Sequence, residues 1–470
     1  MPDKYHIDTT PVPPRLPRIG KHGIVDWRED CSRCHNCVKK ACVYDRHRQE
    51  SEYIRSLKFS EFLFFECMGC FSCVQNCTKG LLCLTINSEY ENLGNAYWTP
   101  EIIHATWQQA ETASVPVSGA GYRGRFSGHG FDAMWTDMSE IVRPTRDGIH
   151  GREYISTSVD IGTKPSYLNF SGVGLDTQLP ALVDLPMPLI LDMRPGALGL
   201  PRVEPYVIEA ARATGLMVLV DSAGWPGVLL DHQAADLDAY LPHIAFHLNP
   251  DAPVPYEVLG RTRMAEIPDS DQVLETVRDL KQRFPGMVFS VRVALTPSGV
   301  ARCVELATAG LEVVHMVADI NGNEMDTDKP RFIKDLIRKA HTDLIKAGIR
   351  DNVTLIAGGG IGLAEHMAKA VICGADLVST IVPLVLALEC RLCSLCQPDL
   401  PCPARLETLD TAYAAGRMRN LIASWHLQLI ELMGAMGMRE ARRLRGDVGR
   451  AMFFEELEEE IFGALFGSRK

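Results

Sequence analysis

An α/β fold is the first reading of this sequence, and three observations carry it. Short apolar runs alternate with stretches of helical spacing from Gly151 onward. Two compact cysteine groups lie upstream of them, and a third follows the last apolar run, ahead of a helical end. Strands alternating with helices imply parallel β-structure, and seven or eight such units over roughly 220 residues imply a (β/α)8 TIM barrel. The expected organisation is a polar, proline-rich tail (1–20), a small cysteine domain (21–90) and a linker or barrel-covering segment (91–150). The barrel with the third cysteine group (151–403) and C-terminal helices (404–470) complete it.

The bulk properties fit that plan. Hydrophobic residues make up 46% and charged residues 23% of the 470, so a large buried core is within reach. A formal net charge of −11 argues against nucleic acid as the main partner, because phosphate binding needs a basic surface. The opening MPDKYHIDTTPVPPRLPR is polar, so no secretory signal is expected, and the longest apolar run, LVSTIVPLVLALEC, is too short to span a membrane. Fifteen cysteines in repeated C-x-x-C spacing point to metal or cluster ligation in a reducing cytoplasm rather than to disulfides.

The first run, CSRCHNCVKKAC, supplies Cys31, Cys34, Cys37 and Cys42; the second, CMGCFSCVQNC, supplies Cys67, Cys70, Cys73 and Cys77. Three evenly spaced thiolates wrap one face of a cubane, and in two-cluster ferredoxins the fourth cysteine of each run ligates the other cluster. On that pattern Cys31, Cys34, Cys37 and Cys77 hold one [4Fe-4S] cluster, and Cys67, Cys70, Cys73 and Cys42 hold a second. Zinc sites more often use two C-x-x-C pairs. The segment is similar to the bacterial-type two-cluster ferredoxin module, with Val43 and Thr78 where that module has proline. The connection SLKFSEFLFFE suits a cover over the clusters, and Cys83, outside both quartets, is expected as a buried small hydrophobe. Downstream, VPVSGAGYRGRFSGHGF reads as a linker; the alternative is a phosphate-cradling loop using Arg123 and Arg125.

Seven apolar runs mark barrel strands: PLILDM, LMVLVDS, HIAFHL, VFSVRVA, VVHMVADI, VTLIAGGG and ADLVSTI. Barrel chemistry sits at the carboxyl ends of the strands, which here carry Asp192, Met193, Arg194, Asp221, Ser222, Arg292, Asp319, Asn321 and Asn323. Gly358, Gly359 and Gly360 let backbone N–H groups approach a ligand just before a helix, and Ser379 and Thr380 add hydroxyls after the next strand. That is where barrels commonly bind phosphate. Arg292 would place a cation at the mouth, to face the N1–C2=O edge of a reduced flavin or a substrate carboxylate; the alternative is a salt bridge to a barrel carboxylate. His243, His247, His315 and His366 read as core or surface residues rather than ligands, and Cys303 and Cys373 as structural. The third cysteine group, LECRLCSLCQPDLPCP, gives Cys390, Cys393, Cys396 and Cys402, as either a zinc knuckle or an iron–sulfur site.

From about Asp137 onward the chain resembles the FMN-binding synthase domain of glutamate synthase. In particular it is similar to the short archaeal-type large subunits with an N-terminal ferredoxin module. The matching stretches are FDAMWTDMSEIVRPTRDG, STSVDIG, PLILDMRPGALG, FSVRVALTPSGVARCVELATAGLEVVHMVADINGN, LIAGGGIGLAEHMAKAVICGADLV and LIELMGAMGMREARRL. The resemblance implies FMN held by Met193, Gly196, Ala197, Arg292, Asn321, Gly322, Gly358, Gly359, Gly360, Ser379 and Thr380, with Arg292 and Asp319 as catalytic candidates. It implies a [3Fe-4S] cluster on Cys390, Cys396 and Cys402; the extra Cys393 favours [4Fe-4S] instead.

The chain begins MPDKYH rather than with the family's amidotransferase nucleophile, so no glutamine hydrolysis is expected. Several glycine-rich substrate loops are shortened, to DSAGWPG and FHLNPDAPVPYEVLG, and Arg292 stands where the family has lysine. The implied function is an iron–sulfur flavoprotein oxidoreductase. Electrons would come from a redox partner, either ferredoxin or an NAD(P)H-oxidising flavoprotein, and 2-iminoglutarate would be reduced to glutamate with ammonia from solution or a partner. The alternative is an electron-transfer subunit of a larger complex, without a substrate of its own.

Overall fold

The computed structural model describes residues 5–17, 19–26, 32, 34, 36–37, 43, 69–114, 128–136, 154–165, 167–175, 179–193, 203–224, 237–393 and 402–467. They fall into two compact units. The smaller comprises Pro13–His104 with Glu389–Leu395, and the larger Met1–Val12, Ala105–Leu388 and Cys396–Lys470.

In the smaller unit, β1 (His22–Asp26) pairs antiparallel with β2 (Leu82–Ile86), His22 opposite Ile86. Period-2 alternation buries Leu82 and exposes Cys83, which corrects the expectation of a buried Cys83: it lies on the solvent side of the strand. Leu82, Cys73, Cys37, Val74, Cys77 and Leu84 form one small core. The segment after the barrel's last helix also packs in this unit. Glu389 accepts from the backbone N–H groups of Arg15 (2.8 Å) and Leu16 (3.2 Å) and pairs with the Arg15 guanidinium at 3.3 Å. Gly94 N–H donates to the Arg391 carbonyl.

The larger unit opens with short antiparallel pairs. In chain order these strands are β3 (Met134–Thr136), β4 (Val159–Ile161), the hairpin β5 (Phe170–Ser171) and β6 (Gly174–Leu175), and β7 (Val183–Leu185), which pairs with β4. Eight parallel strands then close a barrel: β8 (Leu189–Met193), β9 (Met217–Asp221), β10 (Ile244–His247), β11 (Met264–Pro268), β12 (Val288–Ala294), β13 (Val313–Val317), β14 (Thr354–Gly358) and β15 (Leu377–Thr380). They are paired in sequence order, and β15 closes on β8 with Val378 opposite Leu189. The predicted TIM barrel is therefore present. Seven of its strands are the seven apolar runs; the eighth, MAEIP, escaped because a glutamate interrupts it.

Amphipathic helices cover the outside. Ile333–Lys346 buries Ile333, Leu336, Ile337, Ala340 and Leu344 at i, i+3, i+4 spacing, each fully buried side chain contributing about 1.5–3 kcal/mol apart from the alanine. The 25-residue helix Thr411–Ala435 starts at an N-cap, Asp410, whose carboxylate accepts from Tyr413 N–H. Its fully buried Arg417 donates to the carbonyls of Ala387 (2.5 Å), Val12 (2.9 Å) and Trp107 (3.3 Å), tying three segments together through one guanidinium. The chain ends with β16 (Ala451–Phe453), paired with β3, and the helix Phe454–Phe466. Among the described residues no helix is long and apolar enough to cross a membrane.

Candidate active site

The carboxyl ends of the barrel strands converge on a buried polar network. Arg292 extends from β12, opposite Pro268 of β11 and His315 of β13. Its Nη1 lies 2.9 Å from Asp192 Oδ2 and 3.2 Å from Glu266 Oε1. Glu266, with no exposed surface, also meets His247 Nδ1 at 2.9 Å through Oε1 and His315 Nδ1 at 2.5 Å through Oε2. The second ring nitrogen of His315 lies 2.8 Å from Ser379 Oγ. A carboxylate only accepts, so both imidazoles present N–H at Nδ1. Burial alone would raise the Glu266 carboxyl. The charges of His315 and Arg292 and the hydrogen bonds from His247 and His315 outweigh it and hold the group well below the usual carboxylate range.

Beside this network lies a cavity of 740 Å³, within the size range of ligand pockets. It is lined by His247, Arg292, Asp319 and the β12 and β13 ends. Arg292 thus forms the salt bridges weighed as the alternative, through Nη1, while its side chain also lines the cavity. Asp319 behaves differently from expectation. Its Oδ1 accepts from the backbone N–H groups of Asn321 (2.9 Å) and Asn323 (2.7 Å), and Oδ2 faces Asn323 Nδ2 at 3.5 Å. That geometry builds the loop after β13, and it offers no support for Asp319 as a proton donor.

The glycine turn packs against the same loop. Gly359 and Gly360 have φ of 104° and 68°, and a Cβ on Gly360 would lie 2.8 Å from the Gly322 Cα. Only glycine allows so close an approach of two backbones in this conformation. The ten-residue helix Ala364–Cys373 starts just beyond. The two hydroxyls expected to assist are engaged within the fold: Ser379 with His315, and Thr380 donating to the Ile361 carbonyl at 2.9 Å. The phosphate-binding part of an FMN site would thus draw on backbone N–H groups of the turn and the helix start other than those of Gly360 and Gly362, which donate to the Ile320 carbonyl (3.4 Å) and to His366 Nδ1 (3.2 Å). Met193 ends β8, while Gly196 and Ala197 lie outside the described residues, as do Arg123, Arg125 and Arg194.

The cysteines show local features that favour thiolate. Cys77 Sγ accepts from Leu81 N–H at 3.3 Å. The Leu81 amide foremost, with those of Lys79, Gly80 and Leu82, lowers its pKa against the opposing effect of burial. The Asn36 amide, chiefly, lowers Cys34, with help from the Thr78 hydroxyl next to Cys77. Amides aimed at sulfur stabilise an anionic ligand. Cys34, Cys37 and Cys77, expected on one cluster, share this neighbourhood; Cys70 is exposed and Cys73 buried. In the third group Leu392, at φ 47°, donates its N–H to Cys390 Sγ at 3.4 Å. Cys390 and Cys393 belong to the smaller unit and Cys402 to the larger. Cys31, Cys42, Cys67 and Cys396 lie outside the described residues.

Sequence reasoning missed Glu266, His247 and His315 as a site. The available signal was a glutamate inside a strand-length segment, a burial that requires partners. His366 belongs to a second buried cluster: its Nδ1 accepts from Gly362 N–H, its Nε2 meets Asp132 at 3.1 Å, and Lys369 donates to the Phe131 carbonyl. Cys303 and Cys373 are buried as expected, and burial pushes both thiols up to about 12.

Comparison with known proteins places these features. Residues 333–439, which include the glycine turn and β15, match the conserved region in glutamate synthase. An archaeal-type glutamate synthase [NADPH] from Dehalococcoides mccartyi is 25% identical, aligned over 90% of this chain and 93% of that one. The archaeal glutamate synthase [NADPH] of Archaeoglobus fulgidus is 23% identical over 94% and 96%. That from Thermotoga maritima is 24% identical over 92% and 95%. Among solved structures, an L230A mutant flavocytochrome b2 with benzoylformate aligns at a TM-score of 0.41, with 11% identity over 75% of this chain and 86% of that one. The chain carries the conserved region of glutamate synthase and is a homologue of archaeal-type glutamate synthases over about nine-tenths of its length.

Proposed function

We propose that the chain is an iron–sulfur flavoprotein oxidoreductase of glutamate-synthase type that reduces 2-iminoglutarate at the carboxyl end of its barrel. The observation that carries this reading is the glycine turn Gly358–Gly360 ahead of a helix, inside the matched region and close in sequence to β15. FMN would be held by Met193, Gly196, Ala197, Asn321, Gly322 and the Gly358–Gly360 backbone, with Ser379 and Thr380 shaping the site, and when bound it supplies hydride transfer. Arg292 orients a substrate carboxylate and keeps one face of the site positive; Glu266 and Asp192 hold that guanidinium in place. Two [4Fe-4S] clusters on the eight N-terminal cysteines and a third cluster on Cys390, Cys393, Cys396 and Cys402 would relay electrons. The relatives' names carry NADPH, which supports an NADPH-oxidising partner as donor, within a complex in the cytoplasm.

The test is an anaerobic assay of the purified chain with reduced ferredoxin, ammonia and 2-oxoglutarate. Glutamate formed without any partner supports the proposal. Flavin that is reduced by ferredoxin while no glutamate forms, even with ammonia in excess, would replace it with the reading of an electron-transfer subunit.

A further inference from the structure

We propose that His247 is the proton-exchanging side chain of the mouth cavity, positioned by Glu266, and that it serves a small ligand bearing a carboxylate beside a protonatable oxygen or nitrogen. The ligand class rests on the proposed function; the assignment of the proton-exchanging group rests on geometry.

Two imidazoles share the Glu266 carboxylate, and they differ in what they can reach. His315 is closed at both nitrogens, Nδ1 on Glu266 and Nε2 on Ser379, and has no exposed surface. His247 donates Nδ1–H to Glu266, and its Nε2 has no hydrogen-bond partner among the described residues. His247 also lines the 740 Å³ cavity. A tautomer fixed by a carboxylate behind the ring, with the other nitrogen facing a cavity, is the arrangement that general acid–base chemistry needs.

The remaining groups around the cavity are poor alternatives. Arg292 does not give up its proton. Asp319 is spent on its own loop, and Asp269 is held by both ends of the Arg302 guanidinium. Asp221, opposite His247 in the β9 register, accepts from Ala223 N–H. The charged groups that set the His247 environment are thus Asp221 on β9, Glu266 and Asp269 on β11 and its loop, Arg292 on β12 and Asp319 after β13.

Arg292 supplies the ligand preference. Its contacts to Asp192, Glu266 and His315 all use Nη1, so Nε and Nη2 have no partner among the described residues and remain for a carboxylate. In the transfer itself, imidazolium Nε2 gives its proton to the ligand's oxygen or nitrogen while Nδ1–H stays on Glu266. Water in the cavity then returns a proton to Nε2, and no electrons move.

The experiment uses the full chain, purified without oxygen and labelled with [15N]histidine. His247 signals are identified by their loss in His247→Gln, and 2-oxoglutarate is the probe. Expected are an Nδ1 that stays protonated and an Nε2 signal that shifts on adding the probe. In Glu266→Gln the His247 tautomer preference should change, a readout that a packing role would not move. A His247 protonated at Nε2 with bare Nδ1 overturns the assignment. An Nδ1–H tautomer with no response to 2-oxoglutarate leaves the proton-exchanging role standing and overturns the ligand, and with it the proposed substrate.

Discussion

Removing Glu266 should damage the barrel about as much as truncating a large apolar side chain in its wall. The side chain has no exposed surface and accepts from three donors: His247 Nδ1 (2.9 Å), His315 Nδ1 (2.5 Å) and Arg292 Nη1 (3.2 Å). Hydrogen bonds to charged groups contribute about 1.5–3 kcal/mol each. Relief of the carboxylate's own desolvation offsets part of that sum. What remains after Glu266→Ala is a buried imidazole without its counter-charge and a guanidinium left with Asp192 alone, a loss of about 3–5 kcal/mol. At about 2–4 °C per kcal/mol this lowers the melting temperature by roughly 6–20 °C in a circular-dichroism melt at pH 7. Glu266→Gln keeps one acceptor and sets an amide N–H against a donor, so its loss should be intermediate. The acid limb gives a further check. The folded carboxyl sits below its ordinary value, so its contribution is complete above the usual carboxylate range. It is lost as pH falls below about 4.5 through the folded value, and wild type and Glu266→Ala should converge there. A Glu266→Ala protein melting within about 2 °C of wild type at pH 7 would refute the reasoning.

Three further outcomes follow. Burial, with the Arg350 and Arg445 charges, pushes His341 down to about 4, and Arg350 Nε–H donates to its Nδ1 at 3.0 Å. The unfolded chain therefore binds a proton first, stability falls as pH drops from 6.5 toward 4, and His341→Gln should flatten that slope in thermal melts. Gly360→Ala, at φ 68° and facing the Gly322 Cα, should cost about 1–3 kcal/mol and reduce flavin content while leaving iron unchanged, read by released flavin and iron assay. Cys77→Ala should remove about four irons per chain and spare the barrel's melting transition.

The barrel was legible because its walls are apolar: Leu189–Met193 and Val313–Val317 announce themselves as strands without reference to the rest of the chain. The spacing within the cysteine quartets can be read for the same reason, since it is local. The polar interior was not. MAEIP escaped as a strand because Glu266 breaks its run, and the partners that allow such a burial come from β10, β12 and β13, between 19 and 49 residues away. The surroundings of Ser379 and Thr380 were equally hidden. Their position after the last strand suggested ligand hydroxyls, whereas long-range contacts to His315 and Ile361 engage both. The loop-capping contacts of Asp319 were hidden because residue type alone does not distinguish an aspartate that caps the Asn-Gly-Asn turn two residues on from a catalytic one. The pairing of β3 with β16, more than 300 residues apart, leaves no trace in any local pattern.

The most direct test of the central claim is flavin content. The chain is purified without oxygen and denatured, and the flavin released is identified and counted. About one FMN per chain is the predicted result, with the glycine turn as its phosphate site. A preparation still rich in iron that releases no flavin would contradict the account and leave an iron–sulfur protein built on a barrel without its cofactor.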